Sequence, residues 1–150
     1  MAIVGKDGKV TLGASTVVGM GTWTLDGITI EEFDASAFND DWKSFEYGMK
    51  DGGTISFNGH YTPTDTTGQL ALQLANLYNS KLTNLQLWIN DTSYFTPCAS
   101  TGYFAPGDYS TGMPTVLSSV TITTYNVGMD KSGLGTISFT GKVSGLMVMI

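Results

Sequence analysis

Residues 32–61 read EFDASAFNDDWKSFEYGMKDGGTISFNGHY, and the last eight of them decide the fold. Ile55, Phe57, Gly59 and Tyr61 fall on one face of an extended chain, and Thr54, Ser56, Asn58 and His60 fall on the other. Such alternation marks a strand with one buried and one wet face. The preceding Asp51-Gly52-Gly53 is turn chemistry, because glycine takes positive φ without a steric cost. Upstream, Phe38, Trp42 and Phe45 lie in a polar segment that also carries Asp34, Asp40, Asp41, Glu46 and Asp51. A compact domain rarely places large apolar side chains on a long acidic connection. A loop over about 34–53 is therefore expected either to fold onto its own core or to pack against another chain.

On the amino-terminal side, residues 21–33 predict one long strand with a change of phase. Trp23 and Leu25 share a face, whereas Ile28 and Ile30 follow in the opposite phase. Asp26-Gly27 at the slip reads either as a β-bulge or as a hairpin turn. Residues 1–20 suggest a short strand pair turning at Asp7-Gly8 between Ile3-Val4 and Val10-Leu12. Alternatively they form an arm, about 1–15, that a partner orders.

On the carboxyl-terminal side, Thr66 with Gln69 matches a capping box, and Leu70, Leu74, Leu77 and Tyr78 make an apolar stripe. These predict a helix over about 66–81 that packs the stripe into the core. Leu85, Leu87 and Ile89 alternate, with Trp88 on the far side, and Asn90-Asp91 turns into Tyr94-Phe95-Thr96. Residues 97–114, with three of the four prolines, read as a loop, and they carry Tyr103, Phe104 and Tyr109. A long hairpin follows. Val116, Val120 and Ile122 change phase to Tyr125, Val127 and Met129, turn at Asp130–Gly133, and return through Ile137, Phe139, Gly141 and Val143. The tail of about 144–150 ends in Leu146, Met147, Val148, Met149 and Ile150. It is either an inward last strand or a contact inserted into a neighbour. The sum is a mainly β fold, a sandwich or rolled barrel of about seven strands with one flanking helix, in a single domain over 1–150.

Charged residues make up only 13% of the chain, about half the usual share, so the surface must be carried by Thr, Ser, Asn and Gly. Neutral strand edges with few lysines favour pairing between copies. There is no arginine, only seven lysines, and a net charge of −6, which excludes tight binding to a polyanion. The first ten residues lack the apolar core of a signal peptide, and the longest aliphatic run, Leu146–Ile150, is too short to span a bilayer. With a single cysteine, Cys98, no disulfide forms within the chain.

No set of residues assembles an active site. His60, the single histidine, sits mid-strand on the polar face and reads as solvated rather than as a general base. One histidine and one cysteine fall short of a zinc site. Asp40-Asp41 with Asn39 lacks the spacing of a calcium loop and reads as a solvated acidic patch. Asn90-Asp91-Thr92 is a chance sequon, and the glycine pairs at 19/21 and 133/135 lack the rest of a phosphate cradle. No cofactor, metal or catalytic residue is expected. A β-sandwich module binding carbohydrate or protein is a competing class, with Trp42, Trp88, Tyr103 and Tyr109 as stacking surfaces.

Several of these pieces together resemble the tail tube (major tail) proteins of long-tailed bacteriophages with non-contractile tails. The residues concerned are Trp23-Thr-Leu, Phe33-Asp34-x-Ser36-x-Phe38, Trp42-Lys43, Gly48-Met-Lys-Asp-Gly-Gly53 and Ile55-Ser-Phe-x-Gly59, ahead of the single helix. The family pattern usually has threonine where Ser36 stands. The resemblance implies rings, commonly hexameric, stacked into a hollow tube through which DNA leaves the capsid without specific binding. It implies that the loop of about 34–53 and both terminal arms touch the next ring. Phe38, Trp42, Phe45 and Leu146–Ile150 are then candidate contacts between subunits, and Asp34, Asp40, Asp41, Glu46 and Asp51 would face the lumen or the next ring. Tape-measure, tail-tip and tail-terminator proteins would be partners, and no membrane is involved. The location would be the virion tail, with assembly in the host cytoplasm. The tube protein of a bacterial secretion system shares the implied architecture.

Overall fold

A computed structural model describes residues 5–98 and 117–150. In chain order its strands are β1 (Lys9–Leu12), β2 (Ser15–Thr16), β3 (Met20–Asp26), β4 (Thr29–Asp34), β5 (Phe45–Asp51) and β6 (Thr54–His60). Helix α1 (Gln69–Leu77) precedes β7 (Leu85–Trp88), β8 (Tyr94–Pro97), β9 (Ser119–Gly128), β10 (Thr136–Ser144) and β11 (Met147–Met149). One sheet runs β11-β8-β7-β1-β2, a second runs β3-β6-β10-β9, and β4-β5 stand apart as a two-stranded ribbon. The two larger sheets form a sandwich.

The core lies between them. Val10, Leu85, Leu87 and Met147 from the first sheet meet Ile55, Phe57, Ile122, Ile137, Phe139 and Val143 from the second. Phe57 and Phe139 are cross-strand partners whose rings stack at 5.3 Å. Both are fully buried, and each contributes roughly 2–3 kcal/mol through loss of apolar surface to water. The alternation expected of residues 54–60 holds, with Ile55 and Phe57 buried and Asn58 and His60 exposed. The phase change after Ile122 is a β-bulge on β9, where Thr140 faces Thr124 but Gly141 faces Ile122.

The eleven strands among the described residues exceed the seven expected, for three local reasons. First, residues 21–33 are not one strand. β3 belongs to the sandwich and β4 to the ribbon, parted at Gly27 with φ 73°. The register passes from Asp26↔Thr54 to Thr29↔Asp51, two residues on each side, so neither a bulge nor a hairpin turn sits at Asp26-Gly27. Second, the later part of the expected loop of about 34–53 is strand, since β5 pairs with β4 as far as Phe45. Third, the terminal regions join the first sheet. β1 pairs with β2 and β7, and Val10 and Thr11 are buried, so residues 9–12 of the expected arm of 1–15 belong to the sandwich, while Gly5–Asp7 stay exposed. Asp7-Gly8 closes a single 3-10 turn, with the Gly8 N–H donating to the Gly5 carbonyl, rather than a hairpin. Its expected partner Ile3-Val4 lies outside the described residues, as does most of the loop 97–114 with Tyr103, Phe104 and Tyr109. At the other end β11 pairs with β8, so the tail forms a last strand with Met147 buried.

The helix departs most from expectation. It spans Gln69–Leu77 rather than 66–81, and no capping box forms. Asp65 caps it instead, accepting hydrogen bonds from the N–H groups of Gly68 (3.2 Å), Gln69 (3.1 Å) and Val18 (2.9 Å). Gln69 points inward. Its Oε1 accepts from the Thr62 N–H at 2.8 Å, while its Nε2 donates to the carbonyls of Val18 (2.6 Å) and His60 (2.8 Å). With Gln69, Leu72 and Ala75 on the buried side, the stripe Leu70, Leu74, Leu77 and Tyr78 faces outward. The inward face is chosen by the amide network and by small Ala75, which lets the helix approach the sheet.

Candidate assembly surface

The ribbon is the feature that the core does not account for. Every residue from Asp26 to Asp51 is exposed, so among the described residues the ribbon packs on no core of its own chain. It nonetheless carries Phe33, Phe38, Trp42, Phe45, Tyr47 and Met49 on its surface, with Phe38 fully exposed and Trp42 at 87%. An isolated two-stranded hairpin is marginal in water.

Local bonds hold its two ends. At the tip, the Ala35 N–H donates to the Ser44 carbonyl at 2.8 Å, and the Ser44 N–H donates to Ser36 Oγ at 2.8 Å. Asp34 accepts from the Ser36 N–H at 2.9 Å, and Asp40 accepts from the Ala37 N–H at 2.6 Å. The hydrogen bonds from Ser36 hold the Asp34 carboxyl below the usual carboxylate range. Asn39 turns the chain with φ 76°, a region that asparagine tolerates. At the base, Asp51 Oδ1 accepts from Lys142 Nζ at 2.6 Å and from the Gly53 N–H at 2.9 Å. Those two donors, Lys142 first, lower the Asp51 pKa. The Val143 N–H then donates to the Gly53 carbonyl at 3.1 Å, tying the base to β10. Gly53 has φ 93° and passes so close to the Asp26 carbonyl that a Cβ would collide with it.

Of the five acidic residues singled out in the sequence, Asp34, Asp40 and Asp51 thus build the ribbon's turns, while Asp41 and Glu46 extend into solvent. Composition could not separate these roles, because they depend on where a backbone N–H lies: two residues on for Asp34 and Asp51, three residues back for Asp40. Phe38 and Trp42 both lie in the tip segment between β4 and β5, and Phe45 begins β5. The tail residues are elsewhere, on the edge of the first sheet, where Met149 and Ile150 remain exposed.

The outer face of the second sheet is uniform. Across β3-β6-β10-β9 the register aligns Thr24, Ser56, Thr140 and Thr124 in one row and Thr22, Asn58, Ser138 and Asn126 in the next. Thr24 and Ser56 share a hydroxyl hydrogen bond of 2.6 Å. Charges enter only in the flanking row at the ribbon end, which holds Asp26 and Lys142. The edges of this sheet differ. The start of β9 is covered by Leu82, bridged to Val120, and by Asn76, whose Nδ2 donates to the Ile122 and Thr123 carbonyls. The helix and Leu82 leave Thr124–Gly128 of the same edge free.

A cleft of about 490 Å³ opens beside β1 and β3, lined by Lys9, Met20, Trp23, Trp88, Ile89 and Phe95 among others. Both of its indole N–H groups are spent internally. Trp23 donates to the Trp88 carbonyl at 2.9 Å, and Trp88 donates to Thr11 Oγ1 at 3.0 Å. Lys9 lies over the Trp88 ring at 4.6 Å. Trp42, at the ribbon tip, does not share this surface. His60 ends β6 in solvent with its carbonyl bound to Gln69, and Cys98 is buried. Among the described residues no three His, Cys, Asp or Glu side chains converge to hold a metal ion, and no helix is long and apolar enough to cross a membrane.

No protein-family model matches the chain. No curated protein matches it either. Solved structures do. A chain in the virion of a native gene transfer agent particle superposes with TM-score 0.67 at 15% identity, over 99% of both chains. A chain in the tail of an empty gene transfer agent particle, refined with C6 symmetry, gives 0.66 at 16% identity, again over 99% of both. A chain in the sheath–tube complex of an extracellular contractile injection system in its extended state gives 0.57 at 11% identity, over 99% of this chain and 91% of the other. At such identities the likeness establishes a common fold, with one flanking helix on a mainly β body.

Proposed function

We propose that this chain is the structural subunit of a phage-type tail tube, in which copies join side by side into rings and the rings stack around a bore. The observation that carries this reading is the naked ribbon. A chain does not hold Phe38 and Trp42 in water on an ordered two-stranded arm unless another molecule covers them. The fold shared with a gene transfer agent tail supports the assignment, and the C6 symmetry of that tail supports six subunits per ring. Lateral joining would use the free half of β9, Thr124–Gly128, against an open edge such as β3. The hydroxyl and amide rows of the second sheet would line the bore. DNA would then pass because those rows carry no cation to hold phosphates and Lys142 in the flanking row is paired with Asp51, rather than because carboxylates repel it. Asp34, Asp40, Asp41, Glu46 and Asp51, expected to face the lumen or the next ring, all stand on the ribbon, which favours the next ring.

The ribbon, and the exposed Met149 and Ile150 of the tail, would contact the next ring. The resemblance carried by the motifs between Trp23 and Gly59 supports a non-contractile virion tail, assembled in the host cytoplasm with tape-measure, tail-tip and terminator proteins. A sheath layer on native particles would overturn the non-contractile part. Electron microscopy of negatively stained purified protein tests the whole reading. Rings or tubes are expected at micromolar concentration and above. A protein that stays monomeric at every concentration and salt would refute it.

A further inference from the structure

Helix α1 is apolar on two sides. Leu72 and Ala75 are buried, while Leu70, Leu74, Leu77 and Tyr78 form a second stripe in solvent, with Leu77 67% and Tyr78 71% exposed. A helix that is apolar all round is ordinarily covered all round. The ribbon presents the complementary problem, with aromatic side chains and no support. We propose that the outward stripe of α1 is the seat for the ribbon of a second copy of this chain, a proposal that rests on the tube reading above.

Charge selects this occupant. Residues 29–51 hold seven carboxylates against two lysines, a net −5 of the chain's −6. A ribbon so acidic is received best where no carboxylate opposes it. Residues 66–90 contain no Asp or Glu at all, and their single charge is Lys81, just beyond the helix. The stripe therefore offers apolar surface, no repulsion and one cation. The chain's own ribbon does not fill the seat, since every one of its residues is exposed. It leaves the body at the Thr54 end of β6, whereas the helix N-terminus is bound through Gln69 to the His60 end. A contact between two different patches on identical chains is heterologous, and such contacts propagate instead of closing as a pair. That is the geometry a stack requires.

The test places benzoylphenylalanine at Tyr78 of the full chain, irradiates assembled tubes and maps the cross-linked peptides. The expected product joins position 78 to residues 29–51 of another copy. Cross-links elsewhere, or none within intact tubes, overturn the proposal while leaving the tube reading in place. A second variant, Leu77→Glu, should melt as the parent does but raise the concentration needed for tubes at least about tenfold, as truncating one good contact does. Tubes formed by Leu77→Glu at the parental concentration would mean that the stripe serves another partner, such as a sheath protein, and the proposal fails. If the unaltered protein forms no tubes, both readings fall.

Discussion

Trp42→Ala separates folding from assembly. The side chain is 87% exposed in the isolated subunit and belongs to no core cluster, so its loss should alter folding stability by no more than about 0.5 kcal/mol. Covered by a neighbour, the same side chain would remove roughly 200 Å² from water, worth about 5 kcal/mol at ~25 cal/mol per Å² before ordering costs. After those costs about 2–4 kcal/mol should remain, the range of an interface anchor. That corresponds to a rise of about 30- to 700-fold in the concentration at which tubes appear. The assay pairs thermal melting of the unassembled subunit with a sedimentation titration of assembly. Melting should be unchanged and the assembly threshold displaced. A fall in melting temperature that tracks the loss of assembly, or no change in either, would refute the argument from exposure.

Three further changes probe the joints of the fold. Asp65→Ala strips the acceptor shared by the Gly68, Gln69 and Val18 N–H groups and should cost about 2–3 kcal/mol in a denaturant titration. A loss below about 0.5 kcal/mol would mean that water replaces the cap. Gly53→Ala, at φ 93° and against the Asp26 carbonyl, should destabilise by more than about 1 kcal/mol. A melting curve matching the parent would show that the ribbon base relaxes freely. For Asp51, hydrogen bonds from Lys142 and Gly53 lower the folded pKa, so its stabilising contribution is complete above the ordinary carboxylate range and disappears as pH falls through the lowered value. Lys142→Met should move the Asp51 titration, followed by carboxyl chemical shift, up toward the ordinary range. An unmoved titration would assign the shift to Gly53 alone.

Strands buried on one face were readable in the sequence because their period of two is imposed by the core. Residues 54–60 and 136–143 are the clearest cases. Strand β5, by contrast, is hidden within an expected loop for a matching reason. Both of its faces are wet, so no alternation survives to mark β5, and only the cross-strand hydrogen bonds define it. The helix existed where the pattern placed it, but its orientation was hidden. Leu70, Leu74, Leu77 and Tyr78 look like a core face by hydropathy, while the buried Gln69 is polar by type and apolar by circumstance, since its amide is fully bonded. The assembly surface was readable as an anomaly of composition, aromatics amid carboxylates. Its division into turn-forming Asp34, Asp40 and Asp51 and free Asp41 and Glu46 was not, because that depends on backbone N–H positions.

The paired break between the sandwich strands β3 and β6 and the ribbon, at Gly27-Ile28 on one side and Gly52-Gly53 on the other, also has an engineering consequence. Beyond it the residues from Thr29 to Lys50 are exposed and pair only within the ribbon, and Asp51 alone is tied to the sandwich, through Lys142. They form a cassette that can be exchanged for one of different length or chemistry while the barrel-side residues stay as they are. Specificity between one copy and the next can then diverge quickly on a body that barely changes. Chimeras cut at this joint should keep the parent's melting behaviour while taking their choice of neighbour from the donor.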